Sequence, residues 1–191
     1  MIEVVALVPA MNSRDTVGAT VRALTELGGL SEVVVIDDGS TDDTASVAAA
    51  AGATVVLLKR NVGKGGAVAA GVAHRPGADH YLLIDADLGT SAAHAYAIVS
   101  PVVDGVAVMS IATFPSTGRS RGFGLVKRAA GAILCGATGR SFAEPLSGQR
   151  AVRGESLRSV ELAPKFGLEV GLTLDVAARG DEIVEVPVAF E

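Results

Sequence analysis

The stretch VVVIDDGSTDDTA, residues 33–45, contains a strand, a turn and the start of a helix. Its four apolar residues at 33–36 are typical of a strand inside a parallel sheet, and the turn at residues 37–40 ends that strand. Asp42 or Asp43 can cap the alanine-rich helix that runs to about Ala51. A strand that is followed at once by a helix is the repeating unit of an α/β fold.

The same order recurs along the chain. Further strands are predicted at residues 2–8, 54–58, 81–84, 106–111, 149–152 and 183–190. Helices are predicted at residues 16–27, 66–73, 125–135 and 168–178, and Ser91 is expected to cap another. Alternating strands and helices imply right-handed βαβ units, so we expect an α/β fold with a mostly parallel central sheet and helices on both faces. A chain of 191 residues is long enough for one well-cored domain, here residues 1–191.

Composition and charge indicate the cellular compartment of the protein and the kind of ligand or surface that it contacts. Cys135 is the only cysteine, which excludes an internal disulfide and favours a reducing cytoplasm. No segment resembles a signal peptide, and no apolar run approaches the roughly 20 residues that span a bilayer, so any membrane contact would be peripheral. The net charge is −5, yet residues 119–153 hold seven basic residues and one acid. This local +6 indicates an anionic ligand or a membrane surface, or else a solvated helix face.

Three strands end in residues that suit a ligand site at the carboxyl edge of a parallel sheet. The first is followed by Pro9-Ala10-Met11-Asn12, the second by Asp37-Asp38-Gly39-Ser40, and the fourth by Asp85-Ala86-Asp87. Carboxylates spaced as Asp85 and Asp87 can converge on Mg²⁺ or Mn²⁺. Such an ion would bridge the two phosphates of a nucleotide sugar. An isolated Asp-x-Asp is a weak signal, which its position after the apolar strand YLLI strengthens.

The turn after the second strand predicts a nucleobase contact. Asp38 can accept a hydrogen bond from a base N–H, and Gly39 allows a close backbone approach, although a simple turn with a helix cap explains the same residues. The segment NVGKGG, residues 61–66, is not a P-loop, because Leu58 replaces the required glycine and Gly65 the required Ser or Thr. Its Lys64 can still supply charge beside a ligand.

Six segments in order resemble the family 2 glycosyltransferases, which have the Rossmann-like GT-A fold. They are ALVPAMNSRDTV, VVVIDDGSTDDTA, NVGKGGAV, LLIDADL, PLSGQRAVRGESL and VEVPVAF, and they cover nearly the whole chain. The subgroup that the chain resembles most is the polyprenyl-phosphate (dolichol-phosphate-type) sugar synthases. The stretch APKFGLEVGLTLDVAARG is also similar to glucosyl-3-phosphoglycerate synthases.

The resemblance implies a set of site residues. Asp87 would be the chief metal ligand, Glu144 would lie near the acceptor and Arg150 would bind phosphate. The nucleotide site would include Pro9, Ala10, Asn12, Asp38, Gly39, Lys64, Asp85 and Ala86. The family commonly has an acidic residue where this chain has Ser13, which removes one nucleotide contact, and relatives usually continue past the position of Glu191.

The expected activity is metal-dependent transfer of a sugar from a UDP- or GDP-sugar to a phosphate-bearing acceptor such as a polyprenyl phosphate. Residues 1–100 would bind the donor and residues 101–191 the acceptor, at the inner face of the membrane if that acceptor is a lipid. Glucosyl-3-phosphoglycerate synthesis is an alternative, as is nucleotidyl transfer, although the loop at residues 9–14 lacks the glycines of that class. A sugar hydroxyl as acceptor would need a base, first Glu144 and then Glu169. We expect no nucleic-acid partner and leave a homodimer open.

Overall fold

The computed structural model describes residues 2–114, 124–160 and 167–190. Its strands are β1 (Val4–Ala10), β2 (Glu32–Asp37), β3 (Thr54–Leu57), β4 (His80–Leu83), β5 (Met109–Thr113), β6 (Arg150–Arg153) and β7 (Ile183–Pro187). Its α-helices are α1 (Val17–Thr25), α2 (Thr44–Ala50), α3 (Gly63–His74), α4 (Tyr96–Val103), α5 (Gly124–Thr138), α6 (Gly154–Arg158) and α7 (Leu168–Ala178). A 3₁₀ helix, Gly89–Ala95, precedes α4.

The strands form one sheet in the order β3-β2-β1-β4-β6-β5-β7. The β1, β2, β3 and β4 strands run parallel to one another, and β7 runs parallel to β5. Only β6, among the described strands, is antiparallel to its neighbours β4 and β5. The predicted α/β fold with a mostly parallel sheet is therefore confirmed, with one reversed strand that the sequence did not reveal.

Each face of the sheet carries its own core, because successive strand residues point to opposite faces. On β1, Val4, Ala6 and Val8 pack with residues of α1 and α4, whereas Val5 and Leu7 pack with residues of α3 and α7. The expectation of helices on both faces of the sheet is confirmed. Small aliphatic side chains allow the helices to lie close to this buried sheet.

One local prediction was wrong, and one short helix was missed. Ser91 was expected to cap a helix, but it lies inside the 3₁₀ helix, where its hydroxyl donates to the carbonyl of Leu88 at 2.7 Å. The helix α6 was not predicted, because five residues are too few to show a helical period. No helix in the described parts of the chain has the length and apolar character needed to cross a membrane.

The junction of β6 and α6 gives a test of packing. An alanine Cβ at Gly154 would meet the backbone carbonyl oxygen of Ala78 and would lie 2.9 Å from that of Asp79. Because backbone atoms cannot move aside as a side chain can, we expect Gly154→Ala to lower the free energy of unfolding by about 1–3 kcal/mol. Thermal or urea denaturation measures the change.

Gly171→Ala in α7 is the matched control. Apart from its chain neighbours and the backbone of its own helix, no described atom lies within 4 Å of the Cβ that it would add. Alanine favours a helix over glycine by up to about 1 kcal/mol, so this variant should be as stable as the parent protein or more stable. Equal stability changes in the two variants would show that the contact with Ala78 and Asp79 has no energetic weight.

Candidate active site

The ends of four strands meet at one edge of the sheet. The β1, β2 and β4 strands end there, and β6 begins there because it runs in the opposite direction. The register pairs Ala10 with Asp37 and Leu83 with Arg150. The motifs that follow β1, β2 and β4 therefore lie beside the segment that precedes β6, residues 143–149.

The carboxylate of Asp38 holds the start of α3. Its two oxygens accept hydrogen bonds from the backbone N–H groups of Val62, at 2.7 Å, and Gly63, at 2.8 Å. N–H groups in the first turn of a helix have no partner within the helix, and the helix dipole favours a negative charge there. Asp38 is only 4% exposed, so its contacts in this structure are internal. The predicted contact with a nucleobase stays a prediction.

Gly39 has a positive φ of 77°, which favours glycine. A Cβ at this residue would lie 2.8 Å from the backbone nitrogen of Asn61 and 2.9 Å from the carbonyl carbon of Arg60. The close approach that we predicted at Gly39 is therefore made by the protein's own loop between β3 and α3. This packing brings the β2 turn against the segment that carries Lys64.

The loop after β1 is fastened to the β2 turn by Asn12. The side-chain oxygen of Asn12 accepts from the backbone N–H of Thr41 at 2.9 Å. The backbone N–H of Asn12 donates to the hydroxyl of Ser40 at 2.9 Å. Asn12 has a φ of 51°, an uncommon value that asparagine tolerates better than most residues. Pro9 is half-buried and Ala10 is buried, so of these three residues Asn12 is the most exposed.

Lys64 forms the centre of the site. Its ammonium nitrogen lies 2.6 Å from Asp85 Oδ1 and 3.1 Å from Glu169 Oε1. Burial alone would lower the pKa of Lys64, but the charges of Asp85 and Glu169 outweigh this effect and raise the pKa above its usual range. The predicted position of Lys64 beside a ligand stays a prediction, and in this structure its ammonium group joins two carboxylates.

Asp85 is held from a second side by Gln149, whose side-chain amide donates to Asp85 Oδ2 at 2.7 Å. The backbone of Gly148 lies so close that an alanine Cβ there would be 2.6 Å from Asp85 Oδ2. Both residues were missed as site residues, although they belong to the SGQR motif. Their contact with Asp85 depends on the reversed direction of β6.

Asp87 differs from Asp85 in its surroundings. Its side chain is exposed and makes no hydrogen bond or ion pair with any part of the chain that the structure describes. The turn that carries it is fixed by Thr20, whose hydroxyl donates to the carbonyl of Ala86 at 3.0 Å and accepts from the N–H of Gly89 at 2.8 Å. Ala86 is thus a buried support for the turn.

The donor atoms at this turn fit a hard cation. Asp87 offers a free carboxylate, and oxygen ligands of this kind are those that Mg²⁺ and Mn²⁺ prefer. Both oxygens of Asp85 already accept hydrogen bonds. Within residues 2–114, 124–160 and 167–190, no three His, Cys, Asp or Glu side chains come together as a metal site. A cation here would need oxygens from a ligand as well as from Asp87.

Glu144 lies in the segment before β6. Its carboxylate pairs with Lys127 of α5 at 2.7 Å, and its side chain is 21% exposed. The backbone N–H groups of Ala143 and Glu144 donate to the carboxylate of Glu185 in β7. The position near an acceptor that the resemblance implied for Glu144 stays a prediction.

Arg150 requires a correction. It was expected to bind phosphate, but it is 1% exposed and its guanidinium donates to the carbonyls of Ser147 and Pro145 and to the hydroxyl of Thr173. Burial lowers its pKa to about 10, although the charges of Glu169 and Glu185 oppose this shift. The side chain has no surface that a phosphate could reach in this structure.

The basic segment at residues 119–153 does not form one patch over its described part. Arg150 and Arg153 lie at opposite ends of β6, and Arg153 pairs with Glu155 at 3.4 Å. Arg140 pairs with Glu182 at 3.2 Å. Arg119 and Arg121 fall outside the described residues. A cavity of about 530 Å³ beside Arg153 and His80 lies at the other edge of the sheet, away from the strand ends that carry the motifs.

The architecture and the acidic strand ends are those of an α/β enzyme with a ligand site at the carboxyl edge of its sheet. The sequence model of glycosyl transferase family 2 matches residues 5–156. This match covers most of the chain, and the protein therefore belongs to glycosyl transferase family 2. It is a glycosyltransferase. Among curated proteins, none has a matching sequence.

Solved structures of one enzyme from Mycobacterium tuberculosis, glucosyl-3-phosphoglycerate synthase, are similar to this chain. The complex with phosphoglyceric acid is 28% identical, with a TM-score of 0.85, and the match covers 99% of this chain and 71% of that one. The complex with Mn²⁺, UDP-glucose and phosphoglyceric acid is 27% identical, with a TM-score of 0.85 and coverage of 99% and 70%. The complex with Mg²⁺ and UDP is 28% identical, with a TM-score of 0.82 and coverage of 100% and 72%.

The contacts of Asp38 predict a stability change. In Asp38→Asn, the side-chain NH₂ would face a backbone N–H of Val62 or Gly63, and that buried donor would lose its acceptor. We expect the free energy of unfolding to fall by about 1–3 kcal/mol, as measured by denaturation.

Asp87→Asn is the control for this change, because it alters an exposed carboxylate at the same edge of the sheet. Its stability should stay within about 0.5 kcal/mol of the parent protein. If Asp38→Asn were as stable as Asp87→Asn, the hydrogen bonds to the start of α3 would not contribute to the fold.

Proposed function

We propose that the protein transfers a sugar from a UDP-sugar to a phosphate-bearing acceptor, with Mg²⁺ or Mn²⁺ bound at Asp87. The observation that carries the proposal is the exposed carboxylate of Asp87 after β4, which has no partner among the described residues and lies next to an Asp85 that Lys64 and Gln149 hold. The similar M. tuberculosis enzyme has been solved with Mn²⁺, UDP-glucose and phosphoglyceric acid, which supports this choice of donor, cation and acceptor class. GDP-sugars, which we also considered as donors, have no such support.

Asp87 would hold the cation together with the diphosphate oxygens of the donor. A bound divalent ion stabilises the negative charge that develops on a leaving diphosphate. Asp85, held by Lys64 and Gln149, would face the same ligand in a fixed orientation, and Lys64 would add positive charge beside the diphosphate. Positioning and charge stabilisation of this kind supply a large part of enzymatic rate enhancement.

The nucleoside would lie along the ends of β1 and β2. Asn12 is exposed there, and Pro9, Ala10, Asp38 and Gly39 form the adjoining edge of the sheet. Asp38 would accept from the base through a second lone pair, since each carboxylate oxygen has two. The expected division into a donor half, residues 1–100, and an acceptor half, residues 101–191, remains part of this proposal.

A hydroxyl acceptor would need a proton acceptor, and we favour Glu169 for that role. Glu169 and Asp85 both pair with the ammonium group of Lys64. The carboxylate of Glu144 instead pairs with Lys127 of α5. This order reverses the one that we expected from the sequence. An acceptor that reacts through its ionised phosphate would need no base.

Substitution of Asp87 tests the metal site. We expect Asp87→Asn to lower the rate of sugar transfer from UDP-glucose about 100-fold or more in Mn²⁺, because the ion that neutralises the leaving diphosphate is lost. Rates are measured as UDP release with and without acceptor, and binding of Mn²⁺-UDP is measured by calorimetry.

Asp175→Asn, at an exposed position of α7, is the matched control and should keep the parent rate. Excess chelator should abolish activity in the parent protein. If Asp87→Asn turned over at the parent rate, or if chelator had no effect, the proposed cation role of Asp87 would be wrong.

A polyprenyl phosphate is the second candidate acceptor, and α5 gives a specific reason to consider it. Leu125 is 80% exposed, Val126 54% and Ile133 57%, and the basic residues Lys127 and Arg128 lie on the same helix. On the same helix, Leu134 is buried. Apolar surface beside positive charge suits a lipid phosphate and a peripheral membrane contact.

The acceptor is tested by direct competition. With UDP-glucose and Mn²⁺, we expect product from phosphoglyceric acid and none from a short-chain polyprenyl phosphate presented in detergent. If only the polyprenyl phosphate gives product, α5 should contact the lipid. The double variant Leu125→Ser/Ile133→Ser should then raise the KM for the lipid and leave donor hydrolysis unchanged. Mass spectrometry of the product identifies which acceptor carries the sugar. Failure of both acceptors alongside rapid UDP release would contradict a phosphate-bearing acceptor.

A further inference from the structure

The segment before β6, residues 143–149, is held by two buried or half-buried charges of opposite sign. Arg150 donates from Nε to the carbonyl of Ser147 at 2.7 Å and from Nη2 to the carbonyl of Pro145 at 3.0 Å. Glu185 accepts from the N–H of Ala143 at 2.8 Å and from the N–H of Glu144 at 3.0 Å. Arg150 thus binds two carbonyl groups of the segment, and Glu185 binds two of its N–H groups.

Arg150 also connects this segment to α7. Its Nη1 donates to the hydroxyl of Thr173 at 2.6 Å, and that hydroxyl donates to the carbonyl of Glu169 at 2.8 Å. The residue that follows the segment is therefore bonded to the helix turn that carries Glu169. Arginine suits this position because its planar fork offers several donors in fixed directions, which a lysine ammonium does not.

The held segment delivers side chains to the site. Gln149 donates to Asp85, Gly148 packs against Asp85, and Glu144 pairs with Lys127. Each of these contacts depends on the position of a backbone that has no regular hydrogen-bond ladder between α5 and β6. A misplacement of about 1 Å in a catalytic group can lower a rate about 100-fold.

We propose that Arg150 and Glu185 act as a pair of positioning residues that fix residues 143–149, so that Gln149 orients Asp85 and α7 presents Glu169 to the same site. The expected effect of the two residues on catalysis rests on the proposed function. Their expected effect on the segment does not depend on any activity. Arg150 then maintains the geometry of the site through its hydrogen bonds to Ser147, Pro145 and Thr173, and it binds no substrate.

The first test is amide hydrogen exchange, followed by NMR, in Arg150→Lys and Glu185→Gln. A lysine cannot reach Ser147, Pro145 and Thr173 together. Glu185 Oε1 accepts from both N–H groups and Oε2 accepts from Ala143 at 3.0 Å, so a glutamine would place an NH₂ donor against the N–H of Ala143 and would remove the negative charge that strengthens the other contacts. We expect the amides of Ala143 and Glu144 to exchange at least about 10-fold faster in both variants. The amide of Ile84, which donates to the carbonyl of Leu7 in the sheet, should be unchanged.

The second test separates positioning from phosphate binding by kinetics with UDP-glucose, Mn²⁺ and phosphoglyceric acid. Positioning predicts that kcat falls about 10- to 100-fold while the KM for each substrate stays within about twofold. Because both residues hold one segment, the double variant should lose less than the product of the two single losses. Glu182→Gln, which removes only an exposed ion pair with Arg140, is the matched control and should behave as the parent protein.

Three results would overturn the proposal. Unchanged exchange at Ala143 and Glu144 would show that the two charges do not hold the segment. Equal acceleration at Ile84 in Glu185→Gln would show a general loss of stability. A raised KM for phosphoglyceric acid at constant kcat in Arg150→Lys would make Arg150 a phosphate ligand. If the parent protein transferred no sugar at all, the proposed function would fail while the exchange experiment would still decide the role of the pair.

Discussion

The ion pairs of Lys64 with Asp85 and Glu169 are the interaction on which the site depends. Lys64 stands in the first turn of α3, Asp85 follows β4, and Glu169 belongs to α7, so one ammonium group joins three elements. Without this cation, the two carboxylates would repel each other in partly buried positions. Glu169 lies beyond residues 5–156, where the family model matches, so the ion pair extends the site into the last third of the chain.

The strand ends that carry the acidic motifs could be predicted because the signals are local. A continuous apolar run such as residues 33–36 is buried on both faces, and the turn after it must lie at the carboxyl edge. The positions of Asp38 and Asp85 at that edge followed directly. The direction of β6 did not follow, because four residues between a loop and a short helix show neither a hairpin turn nor a crossover.

The roles of Gln149 and Arg150 could not be predicted for a different reason. Gln149 contacts Asp85, 64 residues earlier in the chain, and this contact exists only because β6 is antiparallel to β4. Arg150 belongs to a basic segment, and basic residues are most often exposed. Its burial depends on acceptors that the fold supplies, namely two carbonyls of its own loop and one hydroxyl of α7. Sequence charge alone does not distinguish such a residue from a phosphate ligand.

Lys64 and Arg150 show two ways in which a cation can be kept at the edge of a buried sheet. Lys64 contacts carboxylates directly, and their charges raise its pKa despite burial. Arg150 contacts neutral acceptors, with the charges of Glu169 and Glu185 acting from farther away, and burial lowers its pKa to about 10. Both stay protonated near neutral pH, since a pKa of about 10 is still well above 7. Glu169 therefore opposes the effect of burial at both cations, directly at Lys64 and from farther away at Arg150.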